Sequence, residues 1–323
     1  MPMTTAFRRF PVADLWHCLR RIAVATLACY GASQCDAGSV SAATDPINIS
    51  LTADTEGHVG PCRECPFHPG LGGLTRRATS LARLRKEQPE RLLVDAGNAL
   101  IGAESLESKG QVIVAAYDAM GYDAVNLCHR DFWLGKVATL ALLKDAKFAV
   151  LSANFLYEGN GELLARPYIV KKVNGQRIAL VGVAEPPAGR DFLPHLKEHL
   201  AGIRIQPPAE ALAKWLPKAK GESDQVILLY YGSAAGLEPI REKFAHDLAA
   251  ILVGGIRPEN LPEDSNPPLV GTSNHGRHLA QVRLSGTGRD AKAEVTQMAI
   301  EPTIKPDPEM EKILSKYQSP AAK

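Results

Sequence analysis

An α/β fold, a mainly parallel sheet covered by helices, is what the sequence predicts, on three observations. Short apolar runs alternate with stretches of helical period from about residue 47 to residue 151. Their order, strand then helix, repeats along the chain, which is the pattern left by crossover connections between parallel strands. At 323 residues, with 45% hydrophobic content, the chain is also long enough to bury a sizeable core in one large domain or two small ones.

Taken in order, INISLTAD (47–54) alternates apolar and polar residues and reads as a first strand. GGLTRRATSLARLRKEQP (72–89) places Leu74, Ala78, Leu81 and Leu84 on one helical face. RLLVDAG (91–97) is a short apolar run ending in glycine, a buried second strand. GQVIVAAYDAMGY then reads as helix, DAVNLC as strand, LGKVATLALLKDA as helix and FAVLSAN as strand. YIVKKVNGQRIALVGVAE sets Asn174-Gly175 between two alternating runs, a hairpin signal. SDQVILLYYGSAAG and HDLAAILVGGIRP each give a strand followed by a loop, and LVGTSNHGRHLAQVRLSGTGRDAKAEVTQMAI closes the domain with antiparallel strands. No internal repeat or low-complexity segment interrupts this order. The expected organisation is a leader over 1–42, one domain over 43–301, and a Pro-broken tail over 302–323 with a short helix, EMEKILSKY.

The leader follows from charge and hydropathy. Arg8, Arg9, Arg20 and Arg21 precede the apolar run 22–32, and small residues follow up to Ser41-Ala42-Ala43. That is the order of a secretory signal, so the protein is expected to be exported, periplasmic or extracellular. The run covers roughly 16 Å as a helix, about half a bilayer core, so no permanent span is expected. A lipid anchor on Cys29 or Cys35 is the lesser expectation, because neither ATLAC nor GASQC has a leucine three places before the cysteine. Without residues 1–42 the acidic and basic residues balance. A neutral chain without clustered Lys and Arg does not bind nucleic acid or anionic membrane by bulk electrostatics. No protein partner is indicated.

Three cysteines, Cys18, Cys29 and Cys35, lie in the leader region, and three, Cys62, Cys65 and Cys128, lie in the body. In an exported protein the three body thiols make either one disulfide with a thiol left over or a set of metal ligands. The Cys62-x-x-Cys65 spacing fits a redox pair with Cys128 as resolving thiol, a thiolate metal site completed by His58, His68 or His129, or a structural clasp on a loop. Arg63 and Arg130 are expected to favour thiolates there.

The blocks GGLTRRAT, LLVDAGNALIG, GYDAVNLCHRDF, AKFAVLSANFLYEGNGELLARPYIVKKVNGQRIALVGVAE and LVGG stand in an order and spacing that resemble the N-terminal metallophosphatase domain of the periplasmic 5′-nucleotidase and UDP-sugar hydrolase family. The resemblance runs from Ile47 to about Tyr317. It implies a four-layer α/β/β/α sandwich, the calcineurin-like phosphoesterase fold, with its site on loops at the strand ends. It also implies a small anionic substrate. The placement of the cysteines resembles a Cys-bearing subgroup of nucleotidase-like proteins. The chain ends soon after the helix that would lead to the family's C-terminal domain, so the resemblance does not extend to nucleoside specificity.

Carried over one residue at a time, the resemblance is incomplete at the site. The family's first loop, Asp-x-His-x-His, reads Asp54-Thr55-Glu56-Gly57-His58. The bridging Asp of the second loop is Asn98. In the third loop the metal-ligand Asn is His129, the catalytic His is Arg130 and its partner Asp is Trp133. Two later ligand histidines are replaced by Gly232-Ser233 and Ile256-Arg257-Pro258. Two divalent ions 4 Å apart repel by about 17 kcal/mol at an effective dielectric near 20, and Asn98 has no charge to offset this. A two-metal site is therefore not expected. Asp54, Glu56, Asn98 and His129 remain as ligands for one divalent transition metal, manganese, iron or zinc. Arg130 can stabilise an anion but cannot shuttle a proton near neutral pH.

The sequence thus points first to a divergent exported metallophosphoesterase with a degraded metal site. A thiol-based redox or sulfur-handling protein using Cys62, Cys65 and Cys128, and a non-catalytic binding protein, are the alternatives. His275, in NHGRH, is a further candidate for the cleft. His195 and His199 are spaced to share a helical face, and Tyr230 and Tyr231 read as core and rim.

Overall fold

The computed structural model describes residues 45–62, 70–188 and 194–317. The leader, Cys18, Cys29, Cys35, Arg63, Cys65, His68 and the side chain of His195 lie outside the described residues.

In chain order the elements are β1 (Ile47–Thr52), α1 (Leu74–Glu87), β2 (Leu92–Asp95), α2 (Gln111–Met120), β3 (Ala124–Asn126), α3 (Lys136–Leu143), β4 (Ala149–Leu151) and β5 (Phe155–Tyr157). There follow β6 (Tyr168–Val173), β7 (Gln176–Ala184), α4 (Pro194–His199), β8 (Ile203–Ile205), α5 (Pro208–Glu222), β9 (Gln225–Tyr231) and α6 (Ala234–Phe244). The last elements are β10 (Ala250–Gly254), β11 (Leu269–Gly271), β12 (His278–Ser285), β13 (Lys292–Ala299) and α7 (Pro308–Ser315).

The strands form two large sheets. One has the order β13-β12-β1-β2-β3-β4 and the other β11-β10-β9-β7-β6, with β5 and β8 as a separate pair. Within the first sheet β1 to β4 are parallel, and β12 and β13 add antiparallel. Within the second, β7, β9, β10 and β11 are parallel and β6 closes the hairpin against β7. Asn174 and Gly175 both take left-handed φ (48° and 77°), as the tight hairpin requires. β11 departs from the expected antiparallel ending: it pairs parallel with β10, because the chain crosses to the second sheet's edge before returning as β12.

Side-chain alternation builds the layers. In β2, Leu92 and Val94 face the core between the sheets while Leu93 faces the helical side. Ile47, Ile49 and Leu51 of β1 meet Ile178, Leu180, Ile227 and Leu229 of the second sheet in that inner core. α1, α2 and α7 cover the first sheet and α5 and α6 cover the second, so the order of layers is α/β/β/α. The helix α7, in the segment read as a tail, buries Met310 and Leu314 in the first helical core. Where the sheets come closest there is no space for a side chain: a Cβ on Gly182 would lie 2.6 Å from Asn126 Oδ1. Asn126 itself donates to Ala96 O, at the end of the adjacent β2 (3.1 Å), and across the sandwich to Val183 O of β7 (3.0 Å).

Beneath the ends of β1 and β2 lies a polar network with no access to water. The Asp95 carboxylate accepts from Thr52 Oγ1 (2.6 Å), Tyr117 OH (2.9 Å) and Gly97 N (2.8 Å). Arg77, 1% exposed, reaches Tyr117 OH, Tyr122 OH and Thr55 Oγ1 at 3.3–3.4 Å. Burial pushes the Asp95 carboxyl up to about 7, against the pull of its hydrogen bonds and of the Arg77 charge. A Cβ on Gly276, whose φ is 62°, would collide with Arg77 Nη2, so the guanidinium also seats the loop before β12.

Removing that guanidinium leaves buried acceptors and hydroxyls without their donor. Arg77→Leu is expected to lower the unfolding free energy by about 3 to 5 kcal/mol, read from urea denaturation. An unchanged midpoint would show that the network is not what holds these loops.

Candidate functional site

Five strands from the two sheets end at one rim of the sandwich, and the loops leaving them form the cleft. The first loop follows β1, the second follows β2, the third follows β3, and the loops after β9 and β10 complete the wall. Backbone hydrogen bonds lock the first two together: Asp54 N to Gly97 O, Glu56 N to Asn98 O and Gly57 N to Ala99 O, at 2.9 to 3.0 Å. The third is tied to the second by Asp131, which accepts from Ala99 N, Leu100 N and Cys128 N at 3.0 to 3.2 Å. The segment before β12 joins through His275 N, which donates to Asp54 O at 2.7 Å.

These loops concentrate backbone strain. Asp54 (φ 47°), Glu56 (51°), Asn98 (61°) and His275 (57°) all take the left-handed region that L-residues avoid. Such conformations persist where the surrounding contacts over-determine them, and they cluster at functional sites.

The side chains sort into three groups. Asp54 accepts from Asn98 Nδ2 at 2.8 Å on one oxygen and from Gly255 N at 2.8 Å on the other. Burial raises its pKa, with those two hydrogen bonds opposing. Glu56 faces His275, with Oε2 3.5 Å from Nε2. Burial works to raise the Glu56 carboxyl, but the hydrogen bond and charge of His275, then Arg130 and His58, prevail and lower it. The ring of His275 lies 4.2 Å from that of His58, which in turn faces Glu104 at 3.4 Å. Glu104 is held at about 2, by the His58 hydrogen bond first, against burial, and then by bonds from Gly60 N and Val59 N. Arg130 is exposed at the mouth, close enough for its charge to act on both Asp54 and Glu56.

The structure brings Asp54, Glu56, Asn98 and Arg130 into one cavity of about 180 Å³, together with Tyr231, Arg257, Thr272 and Asn274. His129 is buried one layer below, its Nδ1 3.2 Å from Glu185 O and its ring 5.9 Å from that of Tyr231. Tyr230 and Tyr231 are both buried. His199 lies against Trp133, ring centroids 6.3 Å apart. The Glu56–His275 pair, the Gly255 amide and the Arg77 network were not legible in the sequence, because the strand crossovers place each far from its partner in the chain.

The donor set does not fit the two-metal centre that the resemblance implies. Where a bridging carboxylate belongs, an amide points its donor at Asp54. Glu56, in the place of a ligand histidine, turns to His275. No group of three or more His, Cys, Asp or Glu suited to a metal occurs among the described residues.

The three-thiol reading needs correction. Cys62 is disulfide-bonded, and its partner lies outside the described residues. Cys128 is free but fully buried, and burial first, then the neighbouring Asp131 charge, push its thiol well above the usual range. Arg130 is expected from the sequence to favour thiolates; its side chain instead lines the cleft mouth, and the Asp131 charge and hydrogen bond act on the Cys128 thiol in the opposite sense.

No domain-family profile matches the chain. The human 5′-nucleotidase is 32% identical over 236 residues, covering 68% of this chain and 40% of that protein. Among solved structures, a sulfate thiohydrolase of Thermus thermophilus superposes with a TM-score of 0.73 at 17% identity over 84% of this chain and 60% of its own. A calcineurin-like phosphoesterase of Bacillus subtilis superposes at 0.64 and 20% identity, covering 85% of this chain and 99% of its own. The chain spans less than half the length of the curated relatives it matches. Among the described residues no helix is long and apolar enough to cross a membrane. By sequence and by fold the chain belongs to the 5′-nucleotidase family, as a relative of its N-terminal metallophosphatase domain.

Proposed function

We propose that this chain is a divergent, exported phosphoester hydrolase that works without the family's two-metal centre. The observation that carries the reading is the Asn98 amide donating to Asp54 Oδ1 at 2.8 Å, with the Arg130 charge beside it in the same cavity. Arg130 holds the anionic group of the substrate, the guanidinium fork matching two phosphoryl oxygens. Asp54, fixed by two hydrogen bonds and raised by burial, is the base that orients and deprotonates the attacking water. His275, oriented by Glu56, carries the proton toward the departing oxygen. Family membership supports hydrolysis of a phosphoester, and the relatives' names support a nucleotide among the compounds to try. Any metal requirement then stops at one equivalent.

Two outcomes are expected. Arg130→Ala lowers the turnover of p-nitrophenyl phosphate by about 100-fold, the scale of one lost anion-stabilising group. Metal analysis of the purified protein gives one equivalent or less. An unaltered rate in the variant, or two equivalents bound, sinks the reading.

Asn98→Asp tests the inverted site directly. It sets a second carboxylate against Asp54 with no donor between them, so without metal it is expected to cost about 1 to 3 kcal/mol. Manganese at millimolar concentration should restore that loss, seen as a recovered Tm. A variant whose Tm is the same with and without manganese would show that the amide is not what displaces the cation.

A further inference from the structure

The polar cavity is only half of the opening. A second cavity, of about 440 Å³, shares Glu56, Asn98 and Arg130 with it and continues past them over Ile101, Leu106, Trp133 and Leu196. One wall of this opening is therefore charged and the other is apolar, with Arg130 at the junction. Leu106 and Trp133 are 47% and 40% exposed, large apolar side chains turned to solvent at the rim, while Leu196 closes the floor at 4%.

The apolar wall is built in advance rather than left to chance. The loop over 101–106 is pressed backbone to backbone on the first loop: a Cβ on Gly102 would lie 1.7 Å from Glu56 O, and one on Gly57 2.2 Å from Gly102 N. Ser105 Oγ then pins the loop from inside, donating to Leu100 O at 3.0 Å and accepting from Gly102 N at 3.0 Å. A preformed concave apolar surface of this volume, meeting a few convergent polar groups, is the form of a small-molecule site.

We infer that the cleft takes a phosphomonoester carrying a compact aryl or alkyl group, with the anion on Arg130 and the apolar group on Ile101, Leu106, Trp133 and Leu196. This rests on the phosphoester reading and adds the substrate class to it. Charge complementarity places the anion: among the described residues Arg130 and Arg257 bring guanidinium groups to the paired cavities, Arg257 lies 3.9 Å from Glu259, and the charge of Glu56 is turned to His275. Area places the rest: a flat aryl group covers Leu106 and Trp133 and removes their exposed surface from water.

The test compares methyl phosphate, 1-naphthyl phosphate and 1-naphthol by calorimetry on the full chain and on Leu106→Asp and Trp133→Ala. The two positions are at the exposed rim, and an unchanged affinity for methyl phosphate certifies the fold of each variant. Naphthyl phosphate is expected to bind about tenfold or more tightly than methyl phosphate, with that advantage lost in both variants. Equal binding of the two phosphates would overturn this inference and leave the phosphoester reading standing. Naphthol binding as tightly as naphthyl phosphate would overturn the phosphoester reading and the combined ligand with it. Absence of binding by all three would overturn both.

Discussion

The buried carboxylate of Asp95 is the constraint on which the cleft depends. It accepts from the end of β1 through Thr52, from α2 through Tyr117 and from its own loop through Gly97 N, so three elements are referred to one point. Tyr117 passes the constraint outward to Thr55, between the two acidic residues of the first loop, and Arg77 extends it to Gly276, beside His275. Water is excluded from all of it. In such surroundings each hydrogen bond is worth more than at the surface, and each missing partner costs more. The strained residues at the rim keep their left-handed backbone because the layer beneath them cannot yield.

Against that rigid base the charges of the first two loops balance without a second carboxylate at position 98. A carboxylate at position 98 would leave two negative charges facing each other and require a cation between them. An amide requires none, since its donor satisfies one Asp54 oxygen and Gly255 N satisfies the other. Glu56 is balanced by His275 in the same way, and His58 by Glu104. Asp54, Glu56 and Glu104 are each answered within the protein, and the Arg130 charge at the mouth acts on both Asp54 and Glu56.

The cysteines, conspicuous in the sequence, divide along the same lines. Cys62, on the first loop, is spent in a disulfide. Cys128 is packed among the apolar residues of the first helical core, its thiol kept neutral by burial and by Asp131. Cys128 offers no thiolate to a substrate, whereas the Asp54 and Glu56 carboxylates and the Arg130 guanidinium line one cavity.

By itself the sequence determined the fold and the place of the cleft. Strand and helix periods located β1 to β4 and α1 to α3, the Asn174-Gly175 pair located the hairpin, and ordered blocks around Asp54, Asn98 and His129 located the three loops, because those signals are local. By resemblance it also led to the expectation that Asn98, Arg130 and Trp133 stand where a family member has metal-site and catalytic groups. What those residues do was decided only by tertiary structure. His129 looks like a ligand in CHRDF and lies a layer below, bonded to Glu185 O; Glu56 finds His275, and Asp54 finds Gly255, across more than two hundred residues. The pairing of two sheets and the parallel β11 were likewise set by which edges meet. Local propensity acts over a few residues. Partner choice at a rim is set by crossovers that bring distant strand ends within hydrogen-bond reach, and no spacing in the chain encodes that distance.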